Sequence, residues 1–175
     1  MLYQLYHGTK KEKAEKILRD NKFVFRTSKK HYLGNGVYFY DNCKKAYWWP
    51  IIFYKIEKEQ SRVLKVDIVV DDKDILNFNC PDDDLKFKKF VEEFKKSGYS
   101  LLKNTNEDDT FELARKRCFF IDSFCDEYPH KLVIGTVIND NFFAQFGIIV
   151  DPDLQFCVRD PNIIKKIEME NSYEY

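Results

Sequence analysis

The sequence lacks the features that mark membrane, secreted and disulfide-stabilised proteins. It has no apolar run near the roughly 20 residues that a membrane helix needs, and its start, MLYQLYHGTKK, has no apolar core of a signal peptide. Its five cysteines are odd in number and form no CxxC pair, which argues against a disulfide framework or a zinc site. We therefore expect a cytoplasmic protein with reduced, mostly buried thiols, no bound metal and no membrane partner.

Linkers, internal repeats, low-complexity segments and a net charge are also missing. The 175 residues are too few for two ordinary domains, so we expect residues 1–175 to form a single domain. Residues 1–65 hold 15 Lys or Arg against 6 Asp or Glu, and the remainder holds 14 against 23. This basic N-terminal part is a weak indication of an anionic partner such as a dinucleotide or a nucleic acid, and solvated helix faces explain it at least as well.

Aromatic residues are abundant, at 17% of the chain, and they surround a glycine-containing stretch. Residues 33–42 read LGNGVYFYDN, a pattern that predicts a tight turn followed by a strand over 36–40. The preceding residues 27–35 are polar and basic and predict a mobile loop above that turn.

The flanking segments predict further elements near the N-terminus. Residues 2–6 indicate a strand that ends in a turn at His7-Gly8-Thr9, and Thr9 with Glu12 forms a capping box for a helix that reaches about Arg19. Residues 23–26 indicate a brief strand and 62–70 a longer one. Residues 42–60 indicate a helix that Pro50 either kinks or divides into two short helices.

The C-terminal part predicts two helices followed by strands. Phenylalanines recur at helical spacing over 87–94 behind the acidic start 82–84, and a second helix is predicted over 109–124. Strands are predicted over 132–138, 148–150, 155–158 and 163–167. The expected fold class is therefore α+β, with strands early and late and helices between them.

Three short motifs, in this order, resemble those of ADP-ribosyltransferases of the diphtheria-toxin and poly(ADP-ribose) polymerase type. They are His7-Gly8-Thr9 after an apolar strand, GNGVYF over 34–39 followed by Lys45-Ala46, and QFCVRD over 155–160. The resemblance covers roughly the first 50 residues and the last 25. It implies a single ADP-ribosyltransferase-like domain with a split β-sheet core flanked by helices.

The resemblance also implies roles for individual residues, with NAD as the co-substrate. His7, Tyr38 and Gln155 correspond to the catalytic triad; His7 would bind a ribose, and the backbone of Gly8 would read the nicotinamide carboxamide beside Thr9. Tyr38 would stack on the nicotinamide ring, with Tyr47 or Trp48 on the other face. The basic loop 27–35 corresponds to a lid where Lys29, Lys30 or His31 meets the pyrophosphate.

Gln155 stands where the family has glutamate. A glutamine orients a hydroxyl through its amide, but it neither carries negative charge nor accepts a proton as a base. The replacement argues against chain elongation and favours mono-ADP-ribosylation, with a nucleophile that is activated by the acceptor itself or by another group. Asp151 or Asp153 could supply that group. Aspartates ahead of a strand are far more often turn formers.

The resulting hypothesis is a mono-ADP-ribosyltransferase that acts as a toxin or defence effector. Its partners would be NAD, an acceptor that is a protein or a single-stranded nucleic acid, and, for a toxin, an antitoxin or immunity protein. Two alternatives stay open: a catalytically inactive domain of the same fold that binds NAD, ADP-ribose or a protein, and an NAD glycohydrolase. Each site residue also has an ordinary interpretation, because a strand-end histidine and core aromatics are common in any fold. Phe142 and Phe143 precede the third motif, where family members recognise the acceptor, and core burial is equally plausible for them.

Overall fold

The computed structural model describes residues 1–25, 27–97, 109–137 and 152–171, and no side chain of 109–111. Within these residues the protein is a single α+β domain that contains a mixed seven-stranded sheet and four α-helices. The strands are β1 (Leu2–Lys10), β2 (Val37–Tyr40), β3 (Ser61–Val69), β4 (Ile75–Asn77), β5 (Leu132–Val137), β6 (Asp153–Val158) and β7 (Ile164–Met169). The helices are α1 (Lys11–Asp20), α2 (Cys43–Tyr54), α3 (Pro81–Lys96) and α4 (Asp109–Glu127).

The sheet runs in the order β4-β5-β6-β2-β1-β3-β7, and only the β4–β5 pair is parallel. Side chains that alternate along the strands form one apolar cluster on the face covered by α1, centred on Leu5, Phe39 and Leu64. The opposite face carries two clusters, one under α3 and α4 and one under α2. The three strands that carry the predicted triad, β1, β2 and β6, lie side by side in the middle.

The predicted elements over 36–40, 62–70, 87–94 and 109–124 are confirmed, because each has a clear apolar period. The helix predicted over 42–60 is shorter, since Lys55 adopts a left-handed conformation with φ 52° and ends α2 after Tyr54. Pro50 lies inside α2. The predicted strand 148–150 lies outside the described residues.

Two predictions for the N-terminal part are wrong. His7-Gly8-Thr9 is not a turn, because β1 pairs with β3 without interruption from Leu2 to Lys10. The capping box is also absent: Lys10 occupies the N-cap position of α1 and makes no side-chain capping hydrogen bond. Ladder pairing along nine residues therefore outweighs the local turn signal of the glycine.

The segment 23–25 is not a strand, and Arg26 lies outside the described residues. Phe23 packs its ring against His7 and Phe39 from the α1 side, so the segment covers the sheet instead of joining it. β4 was not predicted from the sequence; its three residues are held by pairing with β5. The described strands also form one sheet, so the sheet is not divided into two separate parts.

Candidate functional site

The junction between β1 and β2 is the weakest pairing near the middle of the sheet. Its register consists of the pair Tyr6 and Tyr40, whereas the β1–β3 register spans nine pairs. Beyond this pair, His7-Gly8 of β1 and residues 38–39 of β2 face each other across a weakly paired junction. We call this junction the seam.

Strand geometry fixes which edge of β1 faces this seam. The carbonyl oxygen of Val63 accepts from the backbone N–H of Glu170, at 3.0 Å, so the hydrogen-bonding groups of Val63 point towards β7. Gly8 is paired with Val63, and in an antiparallel ladder such a pair cannot exchange hydrogen bonds with each other. The backbone N–H and C=O of Gly8 therefore point towards β2, into the seam.

The imidazole of His7 bridges the seam. Its Nδ1 lies 2.7 Å from the carbonyl oxygen of Tyr38, and because a carbonyl only accepts, Nδ1 carries the hydrogen. Burial lowers the pKa of His7, and the bond to Tyr38 only partly offsets this effect. A neutral imidazole in this tautomer presents Nε2 as a hydrogen-bond acceptor.

The side chains of His7 and Tyr38 lie on opposite faces of the sheet. The His7 ring contacts Phe23 and Phe39 at centroid distances of 5.2 and 5.5 Å on the α1 face. The Tyr38 ring packs with the cluster under α3 and α4. Two members of the predicted triad thus meet through a ring nitrogen and a backbone carbonyl, rather than through their side-chain ends.

The Tyr38 hydroxyl holds the loop that precedes it. It accepts from the backbone N–H of Leu33 and donates to the carbonyl of Gly34, both at 2.7 Å. Burial raises the pKa of Tyr38, so the phenol stays protonated and keeps donating. His31 approaches the Tyr38 ring edge-on, with centroids 5.7 Å apart. The basic loop 27–35 is therefore folded onto Tyr38.

A polar network joins the same loop to α4 and to Arg159, the residue that follows β6. Asp122 accepts from the backbone N–H of Asn35 at 2.9 Å and from the Asn35 side-chain amide at 2.5 Å. Arg159 forms an ion pair with Asp122 and donates to the Asn35 carbonyl. The Asn35 side-chain oxygen in turn accepts from the Ser28 N–H and contacts His31. The sequence predicted a mobile loop here, and the structure joins it to Asp122 and Arg159 in addition to the Tyr38 hydroxyl.

Gln155 lies on β6 opposite Tyr40, not opposite Tyr38. It is 6% exposed, and its amide nitrogen lies 3.4 Å from the Tyr40 hydroxyl, as a hydrogen-bond donor. Asp153 lies two residues earlier on the same face of β6 and forms an ion pair of 3.0 Å with Lys45. Burial, and then the nearby Asp153, raise the pKa of Tyr40. Asp151 lies outside the described residues.

The aromatic residues at the start of α2 contact two different parts of the protein. Tyr47 is buried and donates through its hydroxyl to the Lys58 carbonyl, and Trp48 packs edge-on against Tyr47 and beneath the Lys58 ammonium. Trp49 instead approaches Tyr40, with ring centroids 6.0 Å apart. Trp49 therefore joins α2 to a side chain of β2 through a ring contact.

Thr9 is 6% exposed and belongs to the β1–β3 ladder opposite Arg62. Ala46, the small residue after the second motif, lies over Gly8: a Cβ on Gly8 would come within 1.6 Å of the Ala46 carbonyl oxygen. The N-terminus of α2 is capped by Asn42, whose side chain accepts from the N–H groups of Lys44 and Lys45. These contacts fix α2 directly above the seam.

Sequence reasoning missed Tyr40, Trp49 and Asp122. Strand alternation could have identified Tyr40, because it lies two residues after Tyr38 and so shares its face. Trp49 and Asp122 carry no local signal, since their contacts depend on how α2 and α4 pack on the sheet.

Two clefts lie away from the seam. One, of about 610 Å³, lies between α3, α4 and the residues around β4, and another, of about 230 Å³, lies beside α1 and the 3₁₀ turn Pro161–Ile163. Among the described residues, no His, Cys, Asp or Glu side chains are grouped closely enough to hold a metal ion. No α-helix in the part of the chain that the structure describes is long and apolar enough to cross a membrane.

Comparison with known proteins gives one distant relative. The chain is 25% identical over 185 residues to the uncharacterized protein MJ0359 of Methanocaldococcus jannaschii, in an alignment that covers 94% of this chain and 85% of the relative. No protein-family model matches the sequence. The similarity extends along almost the whole chain, and the relative's name carries no activity.

Proposed function

We propose that the protein is a mono-ADP-ribosyltransferase of ADP-ribosyltransferase-like fold, with the β1/β2 seam as its NAD site. In the transfer, the bond between nicotinamide and ribose breaks and its electron pair leaves with nicotinamide. The acceptor's nucleophile forms the new bond to the same carbon, and its proton passes to a base or to water. The proposal rests on the three motifs and on one structural observation, the backbone edge of Gly8 in the seam.

The Gly8 edge suits a carboxamide. A carboxamide offers an N–H donor and a carbonyl acceptor side by side, and the C=O and N–H of Gly8 point towards β2 as the complementary pair. Both groups belong to a rigid strand held by β3, so little conformational entropy is lost when they bind. The close contact between Gly8 and the Ala46 carbonyl explains why glycine is needed at this position.

His7 and Tyr38 border the proposed NAD site from opposite faces of the sheet. The Nε2 of neutral His7 accepts a hydrogen bond from a ribose hydroxyl, because Nδ1 is already engaged with Tyr38. The Tyr38 ring provides a flat surface, and such ring pairs contribute about 0.5–1.5 kcal/mol beyond the buried area. Because the loop 27–35 bonds to the Tyr38 hydroxyl, we expect this loop to shift when NAD binds, as lids do in many enzymes.

Gln155 limits the chemistry. Its amide can orient a ribose hydroxyl, and its neighbour Tyr40 keeps a protonated phenol beside it. The nearest carboxylate on this face of β6 is Asp153, which is paired with Lys45. The activity we propose is therefore single transfer, with stabilisation of the positive ribose by Asp153 instead of a glutamate.

The test is incubation of the purified protein with adenylate-labelled NAD and a cell lysate. We expect label on a macromolecule, and digestion with nuclease or protease then identifies the acceptor as nucleic acid or protein. Gln155→Glu is expected to retain or increase transfer, and Asp153→Asn to lower it. Asp160→Asn is the matched control, because Asp160 lies in the turn that follows β6. Release of free ADP-ribose without labelled macromolecule would instead identify an NAD glycohydrolase.

An inactive binding domain is the second candidate, favoured by the buried Gln155 and its contact with Tyr40. Such a domain would bind NAD or ADP-ribose without turnover. Calorimetric titration with NAD separates the two candidates: heat of binding with no nicotinamide release, in buffer or in lysate, would replace the transferase by this second function.

A further inference from the structure

The outer face of α2 carries an exposed group of aromatic and apolar side chains. Phe53 is 64% exposed and Tyr54 55%, and Ile52 and Trp48 are 69% and 37% exposed. Large apolar side chains scattered singly are ordinary on a protein surface, whereas a contiguous group on one helix marks an interaction site.

These rings form a continuous row that begins at the candidate site. Tyr40, beside Gln155, contacts Trp49 at 6.0 Å, and Trp49 stacks on Phe53 at 4.1 Å with their planes 21° apart. Phe53 then meets Tyr54 at 6.5 Å. One face of Phe53 is covered by Trp49, and its high exposure leaves the other face for a further flat ring.

The charges along this row are of one sign. Residues 42–56 contain three lysines and no Asp or Glu. Lysines from neighbouring segments also lie over the rings: Lys58 is 5.1 Å from the Trp48 centroid and Lys13 is 5.8 Å from that of Tyr54. The acidic residues nearest in sequence lie beyond the ends of the helix: Asp41 precedes it, and Glu57 and Glu59 follow it. Ammonium groups beside exposed ring faces suit a partner that combines negative charge with flat rings.

We infer that this aromatic row is a docking surface for single-stranded nucleic acid, which would be the acceptor of the proposed transfer. Unpaired bases stack on exposed aromatic rings, and the phosphates between them pair with nearby lysines. Rings outnumber aliphatic side chains on this face, which favours bases over acyl chains. In naming an acceptor the inference rests on the proposed function; the binding itself requires no NAD.

The chain has two tryptophans, Trp48 and Trp49, and both belong to this surface. Their intrinsic fluorescence therefore reports on it directly. We expect short oligouridylate to quench the emission at low salt, with an affinity that falls steeply as salt is added. Phe53→Ala is expected to weaken binding about 5- to 150-fold, the range for loss of one base stack. Lys58→Ala should lower the slope of log affinity against log salt by about 0.7.

Leu85→Ala, at a 52% exposed position on α3, is the matched control and should bind as the unaltered protein does. Absence of quenching by oligouridylate, or equal binding by Phe53→Ala, would overturn the inference. Quenching by anionic phospholipid vesicles without binding of oligonucleotide would overturn it in favour of a lipid surface.

The same titration separates failure of this inference from failure of the proposed activity. Oligonucleotide binding in a protein that never releases nicotinamide from NAD contradicts the transferase and leaves the docking surface supported. Nicotinamide release in a protein that does not bind oligonucleotide overturns the docking surface alone.

Discussion

The Asp122 carboxylate is the point at which the glycine-containing loop is fixed to the rest of the domain. It accepts two hydrogen bonds from Asn35 and pairs with Arg159. The side chains of Arg159 and Asp122 are 16% and 20% exposed. Asp122→Ala removes all three interactions and leaves a largely buried guanidinium with two distant partners, the Asn35 carbonyl at 3.4 Å and the Asp126 carboxylate at 3.7 Å.

Hydrogen bonds to charged groups contribute about 1.5–3 kcal/mol each, and loss of one member of a buried ion pair costs about 3–5 kcal/mol. Because both side chains are partly exposed, water replaces some of the lost bonds. We therefore expect Asp122→Ala to lower the free energy of unfolding by about 2–4 kcal/mol. For a chain of this size the midpoint of thermal unfolding should fall by about 5–15 °C.

Urea denaturation followed by circular dichroism measures this difference. Asp126→Ala is the matched control: Asp126 is 80% exposed, so its loss should cost at most about 0.5 kcal/mol. A second readout is trypsin cleavage at Lys29 and Lys30, which should accelerate in Asp122→Ala because the loop loses its anchor. Equal stability of the two variants would refute this account of the loop.

Three further predictions concern the seam, its histidine and the thiols. Gly8→Ala should lower the free energy of unfolding by about 1–3 kcal/mol or more, because the new Cβ would come within 1.6 Å of the Ala46 carbonyl oxygen. Gly135→Ala is the control, since its closest contact would be the flexible end of the Leu33 side chain at 2.7 Å. Urea unfolding of both variants should show the smaller loss of stability for Gly135→Ala. Burial lowers the pKa of His7 in the folded protein. The neutral imidazole therefore contributes its full stability above the pKa of histidine in the unfolded chain, about 6.5, and this contribution is lost as the pH falls below that value. His7→Gln should flatten the decline in unfolding free energy between pH 7 and 5. Cys118, Cys125 and Cys157 are buried, and burial raises the pKa of all three thiols, to about 11 for Cys118 and Cys125. A thiol reagent at neutral pH should therefore label two cysteines in the native protein and five after unfolding. Rapid labelling of all five in the native protein would contradict the described burial.

The elements with a strong apolar period were predictable from the sequence. Phenylalanines at helical spacing define α3, and alternation of valine and isoleucine defines β3, because burial of one face of each is required in any compact fold. β1 was predicted to end at His7, since glycine signals a turn. Its continuation to Lys10 depends on pairing with β3, which lies more than fifty residues away in sequence.

The candidate site was predictable only in part for the same reason. The motifs identify His7, Gly8 and Tyr38, and the structure places them on adjacent strands. The partner of Gln155 could not be read from the sequence, because the register of β2 with β6 decides that it is Tyr40. The link from Asn35 to Asp122 joins residues 87 apart, and no local pattern records it.

The central claim is tested most directly by incubating the purified protein with NAD and measuring the release of nicotinamide by chromatography. A cell lysate serves as the source of acceptor. We predict release by the unaltered protein and by Tyr38→Phe, which keeps the ring, and strongly reduced release by His7→Gln and Tyr38→Leu, with folding of each variant checked by circular dichroism. No release by the unaltered protein, or release that persists in both His7→Gln and Tyr38→Leu, would contradict an NAD site at the seam between β1 and β2.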